Sequence, residues 1–151
     1  MLANFLKSAI NRHFEETKLI IDQLTDDLFE KKASEETRKT ADIILHMIRS
    51  YEFYSRGLSE GEWIPAPYSL DKYNNSRKIK SLYIEVVKIT NKYLENITDE
   101  SLLEEVKGFN RTATKGEILL ELLEHGLHHR GQLSVYYRLS KKKPAEIKYI
   151  I

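Results

Sequence analysis

The sequence contains no cysteine, few glycines and prolines, and almost no net charge. Among 151 residues there are six glycines and three prolines, and 24 basic side chains balance 23 acidic ones. Without cysteine the chain forms no disulfide, binds no metal through thiolates and carries no catalytic thiol. A net charge of +1 provides no strong field to attract nucleic acid or an anionic membrane. We therefore expect neither a nucleic-acid partner nor a membrane partner.

Long hydrophobic runs are missing as well. No apolar stretch approaches the roughly 18 residues that span a bilayer, and the amino-terminal segment turns polar too early for a signal peptide. These absences predict a cytoplasmic protein. Hydrophobic residues make up 41% of the chain and charged residues 31%, which is typical of a globular protein. The length predicts one domain over residues 1–151.

Four segments with a helical spacing of apolar residues make up most of the chain. They cover about residues 2–24, 36–58, 75–97 and 114–140. The fourth has the clearest start, because Thr114 and Glu117 fit a capping box, and Pro144 follows its end. Strands are hard to find in this pattern. The predicted fold class is therefore all-α, and the predicted architecture is a four-helix bundle.

Three of the five histidines lie within five residues of the fourth helix. At about 100° per residue, one stripe of that helix carries Ile118, Leu122, His125, His129, Leu133 and Tyr136. His125 and His129 are one turn apart, and two imidazoles in this arrangement can bind one metal ion. Without a metal, two buried imidazoles would each need hydrogen bonds as ordinary core residues. His128 lies about a quarter turn away and is expected to be a surface or partner residue.

A third metal ligand has to come from another helix. His46 is the best candidate, because it lies in the middle of the second helix on a face with apolar residues. His13 in the first helix has polar neighbours in the sequence and is expected to be exposed. Asp42, one turn before His46, is a candidate for orienting that imidazole or for acting as a base. The simpler interpretation of Asp42 is a solvated residue near a helix start.

A second apolar stripe runs along the fourth helix, on the side away from the histidine pair. It consists of Leu120, Leu123 and Leu127. A helix that is apolar on two faces either lies centrally in a core or packs against a second subunit. This stripe predicts a homodimer, and packing against a neighbouring helix is the alternative.

The segment from His125 to Leu133, HGLHHRGQL, resembles the last-helix motif of the DinB/YfiT-like family. His46 matches the single upstream histidine of that motif, and the resemblance covers nearly the whole chain. It implies a four-helix bundle, commonly dimeric, that binds a divalent metal ion, with zinc and nickel the expected metals. The three histidine ligands of the family correspond to His46, His125 and His129. Known activities in this family include the transfer of low-molecular-weight thiols and thiol-dependent isomerisation.

Three histidine ligands leave a coordination position open, which is typical of catalytic metal sites. We therefore predict a metal-dependent enzyme that is either hydrolase-like, acting with water, or thiol-S-transferase-like. A transferase would need a small-molecule thiol cosubstrate, since the chain has no cysteine. The alternative is a non-catalytic, metal-binding or stress-related bundle that interacts with other molecules. In that case the metal would stabilise the fold.

Overall fold

The computed structural model describes residues 1–148, and most of them are helical. The elements are α1 (Leu2–Asp22), α2 (Asp26–Phe29), α3 (Thr40–Glu60), α4 (Ser76–Leu94), β1 (Glu105–Lys107), β2 (Thr112–Thr114) and α5 (Lys115–Leu139), with a 3-10 turn at Ser101–Leu103. The four predicted helices correspond to α1, α3, α4 and α5. Their largest boundary error is at the start of α3, which was predicted at residue 36 and lies at Thr40. The predicted domain limit at residue 151 lies outside the described residues.

The four long helices form a closed bundle. Helix α3 packs against α4 and α5, and α1 packs against the same two helices, so α1 and α3 occupy opposite corners. The apolar stripes of the helices fill the interior between them. Fully buried members include Ile10, Ile20, Ile21, Ile43, Ile44, Met47, Ile48, Tyr51, Ile79 and Tyr137. This arrangement confirms the predicted all-α fold and its bundle architecture.

Local signals in the sequence set the ends of two site-bearing helices. At the start of α5, the Thr114 hydroxyl accepts a bond from the backbone N–H of Glu117 at 3.2 Å. The Glu117 carboxylate accepts one from the backbone N–H of Thr114 at 2.7 Å, which completes the predicted capping box. Helix α3 ends at Glu60, and Gly61 adopts the left-handed conformation, with φ of 73°, that commonly terminates a helix.

Four small elements were not predicted: α2, the 3-10 turn and the two strands. Helix α2 is a single turn, and β1 pairs with β2 in an antiparallel hairpin with Val106 opposite Ala113. The sequence pattern gave no sign of these two strands, which are a small addition to the all-α fold. Each strand has three residues, which is too short for alternation of polar and apolar side chains to stand out in the sequence. The hairpin places its turn, residues 108–111, beside the start of α5.

Within residues 1–148, no helix combines the length and the apolar character that crossing a membrane requires.

Candidate metal centre

Three histidines converge where α3 packs against α5. The Nε2 atom of His125 lies 3.2 Å from Nε2 of His46 and 3.2 Å from Nε2 of His129. One ligand nitrogen from each residue lies within 4.8 Å of the others. His129 is buried, whereas His46 and His125 are half-buried. The structure thus brings together the three histidines selected from the sequence, in a group that could hold a metal ion.

The spacing of these nitrogen atoms fits a shared ion. With Zn–N bonds of 2.0–2.1 Å in tetrahedral geometry, two ligand nitrogens lie about 3.3 Å apart. The two distances of 3.2 Å at His125 agree with that value. Hydrogen bonding alone accounts for them poorly, because the Nε2 of a neutral imidazole offers either one hydrogen or one lone pair. It therefore cannot bond well to both neighbours.

One buried nitrogen of the cluster also lacks a partner within residues 1–148. The Nδ1 atom of His125 is buried and has no hydrogen-bond partner among the described residues. Whichever ring nitrogen carries the hydrogen, His125 leaves part of its bonding capacity unused if no ion is bound. A metal ion at Nε2 would take up the lone pair that faces the cluster.

Burial keeps all three imidazoles neutral near neutral pH. It is the main cause that lowers the pKa of His125 to about 4, with smaller contributions from His129 and His46. Burial also lowers the pKa of His46, again with a contribution from His129. The pKa of His129 falls through burial as well, although its hydrogen bond to Gln132 opposes the change. Neutral imidazole is the form that binds metal ions, so the ligands need little further deprotonation.

Gln132 orients one of the three histidines. Its side-chain oxygen lies 3.0 Å from Nδ1 of His129. Because an amide oxygen only accepts hydrogen bonds, Nδ1 carries the hydrogen and the lone pair of His129 is on Nε2, toward the cluster. Metal-binding histidines usually have such an outer partner. Sequence analysis assigned Gln132 no role, although its position three residues after His129 placed the two side chains together.

His13 is not exposed, and that prediction was wrong. It is 2% exposed, and its Nε2 atom lies 2.8 Å from the hydroxyl of Tyr51. Burial, assisted by Arg130, lowers its pKa to about 3. Its sequence neighbours are polar, but the residues at helical spacing, Ile10 and Thr17, point inward with it. His13 does not belong to the three-histidine group.

The other two candidates lie outside the cluster. His128 is exposed, as expected for a surface residue. Asp42 is half-buried, and no hydrogen bond joins it to His46 within residues 1–148. The proposed orienting role of Asp42 therefore has no support in the observed contacts.

Two further side chains border the cluster and were missed in the sequence. The hydroxyl of Tyr54 donates to the Glu121 carboxylate at 3.1 Å, and the Tyr54 ring centre lies 6.0 Å from that of His125. Burial, with the adjacent Glu121 carboxylate, raises the pKa of Tyr54 to about 12. Tyr54 follows His46 by two turns of α3, and Glu121 precedes His125 by one turn of α5. Their positions in the sequence indicate that they lie beside the cluster only when the contact between α3 and α5 is already known.

The fold and the site together define an all-α bundle with a three-histidine centre between two adjacent helices. The model of the DinB family matches residues 3–150, and the chain therefore belongs to the DinB family.

Relatives of this chain are known in bacteria. An uncharacterized protein, YjoA of Bacillus subtilis, is 26% identical over 140 residues, which cover 90% of this chain and 89% of that protein. The crystal structure of the DinB-like YjoA superimposes with a TM-score of 0.77 at 23% identity, over 95% of both chains. A DinB-like protein from Bacillus cereus gives a TM-score of 0.79 at 22% identity, again over 95% of both chains. At these identities the structural matches show a common fold.

Proposed function

We propose that the protein is a metal-dependent enzyme that binds one divalent metal ion, zinc or nickel, through His46, His125 and His129. The observation behind this proposal is the convergence of three neutral imidazoles whose Nε2 atoms have no better partners than one another among residues 1–148. When bound, an ion with three protein ligands would act as a Lewis acid. It would activate water in a hydrolase, or a thiol in a thiol-S-transferase.

A transferase reaction would place a requirement on the second substrate. Because the chain contains no cysteine, any reacting thiol has to enter as a small-molecule cosubstrate. The cytoplasm, the location predicted from the sequence, is a compartment that keeps such thiols reduced.

The side chains around the cluster have separate tasks in this proposal. Gln132 holds His129 with its Nε2 lone pair toward the other histidines. Tyr54 keeps its proton at neutral pH and donates it in a hydrogen bond to Glu121, beside His125. This pair borders the cluster, with the Tyr54 ring centre 6.0 Å from that of His125. We assign it to proton handling next to the bound substrate.

Metal content measured by mass spectrometry on untagged protein tests the proposal. We expect about one zinc or nickel ion per chain, and a loss of the ion in the His125→Ala/His129→Ala double variant. His128→Ala is the matched control, because it removes an exposed histidine from the same turn of α5. Helical circular dichroism should be unchanged in every sample. Wild-type protein that takes up no metal even after incubation with zinc or nickel would overturn the proposal.

Chelation separates an enzyme from a structural metal protein. If the ion is catalytic, the metal-free chain keeps its helical signal, because the apolar core of the bundle is built from side chains other than the three histidines. Unfolding on chelation would instead support the non-catalytic alternative. A screen of the loaded protein with electrophiles, with and without a low-molecular-weight thiol, would then distinguish hydrolase-like from transferase-like activity.

We also propose that two copies of the chain associate through α5. Leu120 and Leu127 of the second apolar stripe are 45% and 41% exposed, while Leu123 is partly buried against the core. Burying two such leucines against a second copy would remove them from water. Sedimentation equilibrium of the wild-type chain and of the Leu120→Lys/Leu127→Lys variant tests this. A wild-type monomer at micromolar concentration would contradict the proposal.

A further inference from the structure

A cleft of about 170 Å³ lies beside the histidine cluster, where the hairpin turn meets α3 and α5. Its walls include four aromatic side chains and two charged ones. These are Phe53, Tyr54, Trp63, Phe109, Arg111 and Glu121. An apolar cavity of about 150 Å³ is large enough to hold benzene in another protein. The cleft is therefore of a size that accepts one aromatic ring.

The aromatic wall is organised around Phe53. Its ring centre lies 5.4 Å from that of Trp63, 5.8 Å from that of Phe109 and 5.9 Å from that of Tyr54, all in tilted or edge-to-face arrangements. Aromatic rings prefer these arrangements, and a further planar ring can join such a group favourably. The wall thus suits an aromatic ligand better than a flexible aliphatic one.

Trp63 is held in place before any ligand binds. Its indole N–H donates to the backbone oxygen of Lys107 at 2.9 Å, which ties the segment after α3 to the hairpin. Its ring packs against α3 at Gly57, where a Cβ atom would overlap the indole. A wall fixed in this way loses little conformational freedom when a ligand enters the cleft.

The cleft carries one charge of each sign, and Arg111 is the group in it that can bind an anionic group on the ligand. The Glu121 carboxylate already accepts a hydrogen bond from Tyr54. The Arg111 guanidinium has only two long contacts among the described residues, to Glu117 at 3.8 Å and to the backbone oxygen of Thr112 at 3.4 Å. Since a guanidinium has five N–H donors in a planar fork, Arg111 can still bind a carboxylate.

The cleft and the histidine cluster share a boundary. Tyr54 lines the cleft, and its ring centre lies 6.0 Å from that of His125. Glu121 also lines the cleft and precedes His125 by one turn of α5. A ligand in the cleft would therefore lie next to the proposed metal centre, with the Tyr54–Glu121 pair between them.

We propose that this cleft binds the ring of the substrate, a small aromatic acid with a single ring and a carboxylate that contacts Arg111. The assignment of this ligand as the substrate of the metal centre rests on the proposed function. The binding of an aromatic acid in the cleft does not, because its expected contacts are with the cleft walls and not with the three histidines.

Fluorescence of Trp63 provides a direct measurement, because the chain has a single tryptophan. We expect benzoate to change the emission of the wild-type protein in a saturable way, and calorimetry on the same solutions to give the same dissociation constant. Benzyl alcohol, which has the ring without the charge, should bind more weakly. The absence of saturable benzoate binding by both methods would overturn the inference.

Two variants and one control locate the binding site. Phe109→Ala should weaken benzoate binding roughly three- to tenfold, because one aromatic wall is lost. Phe5→Ala is the matched control, since Phe5 and Phe109 are both 69% exposed but Phe5 lies outside the cleft. Arg111→Gln should weaken benzoate roughly tenfold and leave benzyl alcohol unchanged. Equal benzoate affinity in Phe109→Ala and Phe5→Ala would place the ligand elsewhere and refute the assignment.

The same titration in the His125→Ala/His129→Ala variant separates the two proposals. We expect that variant to lose the metal and still bind benzoate. Benzoate binding in a wild-type chain that takes up no metal would support the cleft and reject the metal-dependent enzyme. Metal uptake without benzoate binding would reject the cleft and leave the metal centre standing.

Discussion

The bundle places its buried and half-buried histidines in two different surroundings. The Nε2 atom of His13 lies 2.8 Å from the Tyr51 hydroxyl, and the Thr17 hydroxyl lies 3.4 Å from the same ring. In the three-histidine cluster the Nε2 atoms instead face one another. The comparison shows that burial alone does not indicate a metal ligand. The groups that its nitrogen atoms face decide whether a buried histidine is available to an ion.

The two surroundings are connected through α5. Gly126 lies against the His13 ring, and the next residue back, His125, lies in the cluster. Arg130 follows His129 and forms an ion pair of 2.5 Å with Glu16 of α1. The contacts between α1 and α5 therefore set the depth and rotation of the helix that carries two of the three proposed ligands.

Gly126→Ala is expected to have the largest effect, because it changes the packing of α1 against α5 that connects the two histidine surroundings. A Cβ atom at this position would overlap Nε2 of His13, which is held by Tyr51, so α1 and α5 would have to shift. Overpacking of this kind costs about 2–3 kcal/mol, partly offset by the better helix propensity of alanine. Urea unfolding followed by circular dichroism measures the loss. Metal affinity should also fall, because the rotation of α5 changes.

Gly131→Ala is the control for that variant. Gly131 lies on the same helix, and a Cβ atom there would meet nothing within 4 Å in the described structure. This variant should gain up to about 1 kcal/mol of stability, since alanine favours the helix over glycine. If both glycine variants change the free energy of unfolding alike, the close approach of His13 to α5 has no energetic role.

The fold could be predicted from the sequence because its signals are long or local. Helices of 19 to 25 residues repeat their apolar pattern over several turns, and the box at Thr114 and Glu117 involves residues three apart. Helix α2 and the hairpin escaped prediction, because four and three residues give no period to recognise.

All three histidines of the site were selected from the sequence, but only the pair on α5 followed from spacing alone. His125 and His129 share a stripe of α5, so their pairing followed from spacing. The contact with His46, and the position of Tyr54 beside His125, depend on how α3 packs against α5. His13 was misjudged because its immediate neighbours were considered in place of the residues three and four positions away, which share its face.

Gln132→Ala should have the second largest effect, and it acts on the cluster alone. The Gln132 oxygen fixes the hydrogen of His129 on Nδ1, so without it both tautomers become accessible. Loss of such an outer partner weakens metal binding roughly 10- to 100-fold. Competition with a chelator of known affinity measures the change in zinc or nickel binding. The free energy of unfolding of the metal-free chain should stay within about 0.5 kcal/mol of the wild type, because Gln132 is only partly buried.

The smallest expected effect is the pH dependence that His13 gives to the free energy of unfolding of the metal-free chain. Burial lowers its pKa to about 3 in the folded state, from 6.5 as the ordinary value. As the pH falls, the unfolded chain therefore binds a proton at His13 before the folded chain does. The contribution of neutral His13 to the free energy of unfolding is complete above pH 6.5 and is lost progressively toward pH 3. Between about pH 7.5 and about pH 5.5, His13 alone should account for a loss of about 1 kcal/mol.

His13→Gln isolates this contribution, because glutamine keeps a polar group near Tyr51 but does not titrate. The histidines of the cluster also have lowered pKa values, so the metal-free wild type should lose stability through them as well. The change in the free energy of unfolding between the two pH values is measured for both proteins. Subtracting the change of the variant from that of the wild type removes the contribution of the cluster histidines. We expect urea unfolding to show a steeper decline in the wild type by about 1 kcal/mol over this range. Parallel declines would mean that His13 titrates alike in the folded and unfolded chains, and that its burial against Tyr51 leaves its proton affinity unchanged.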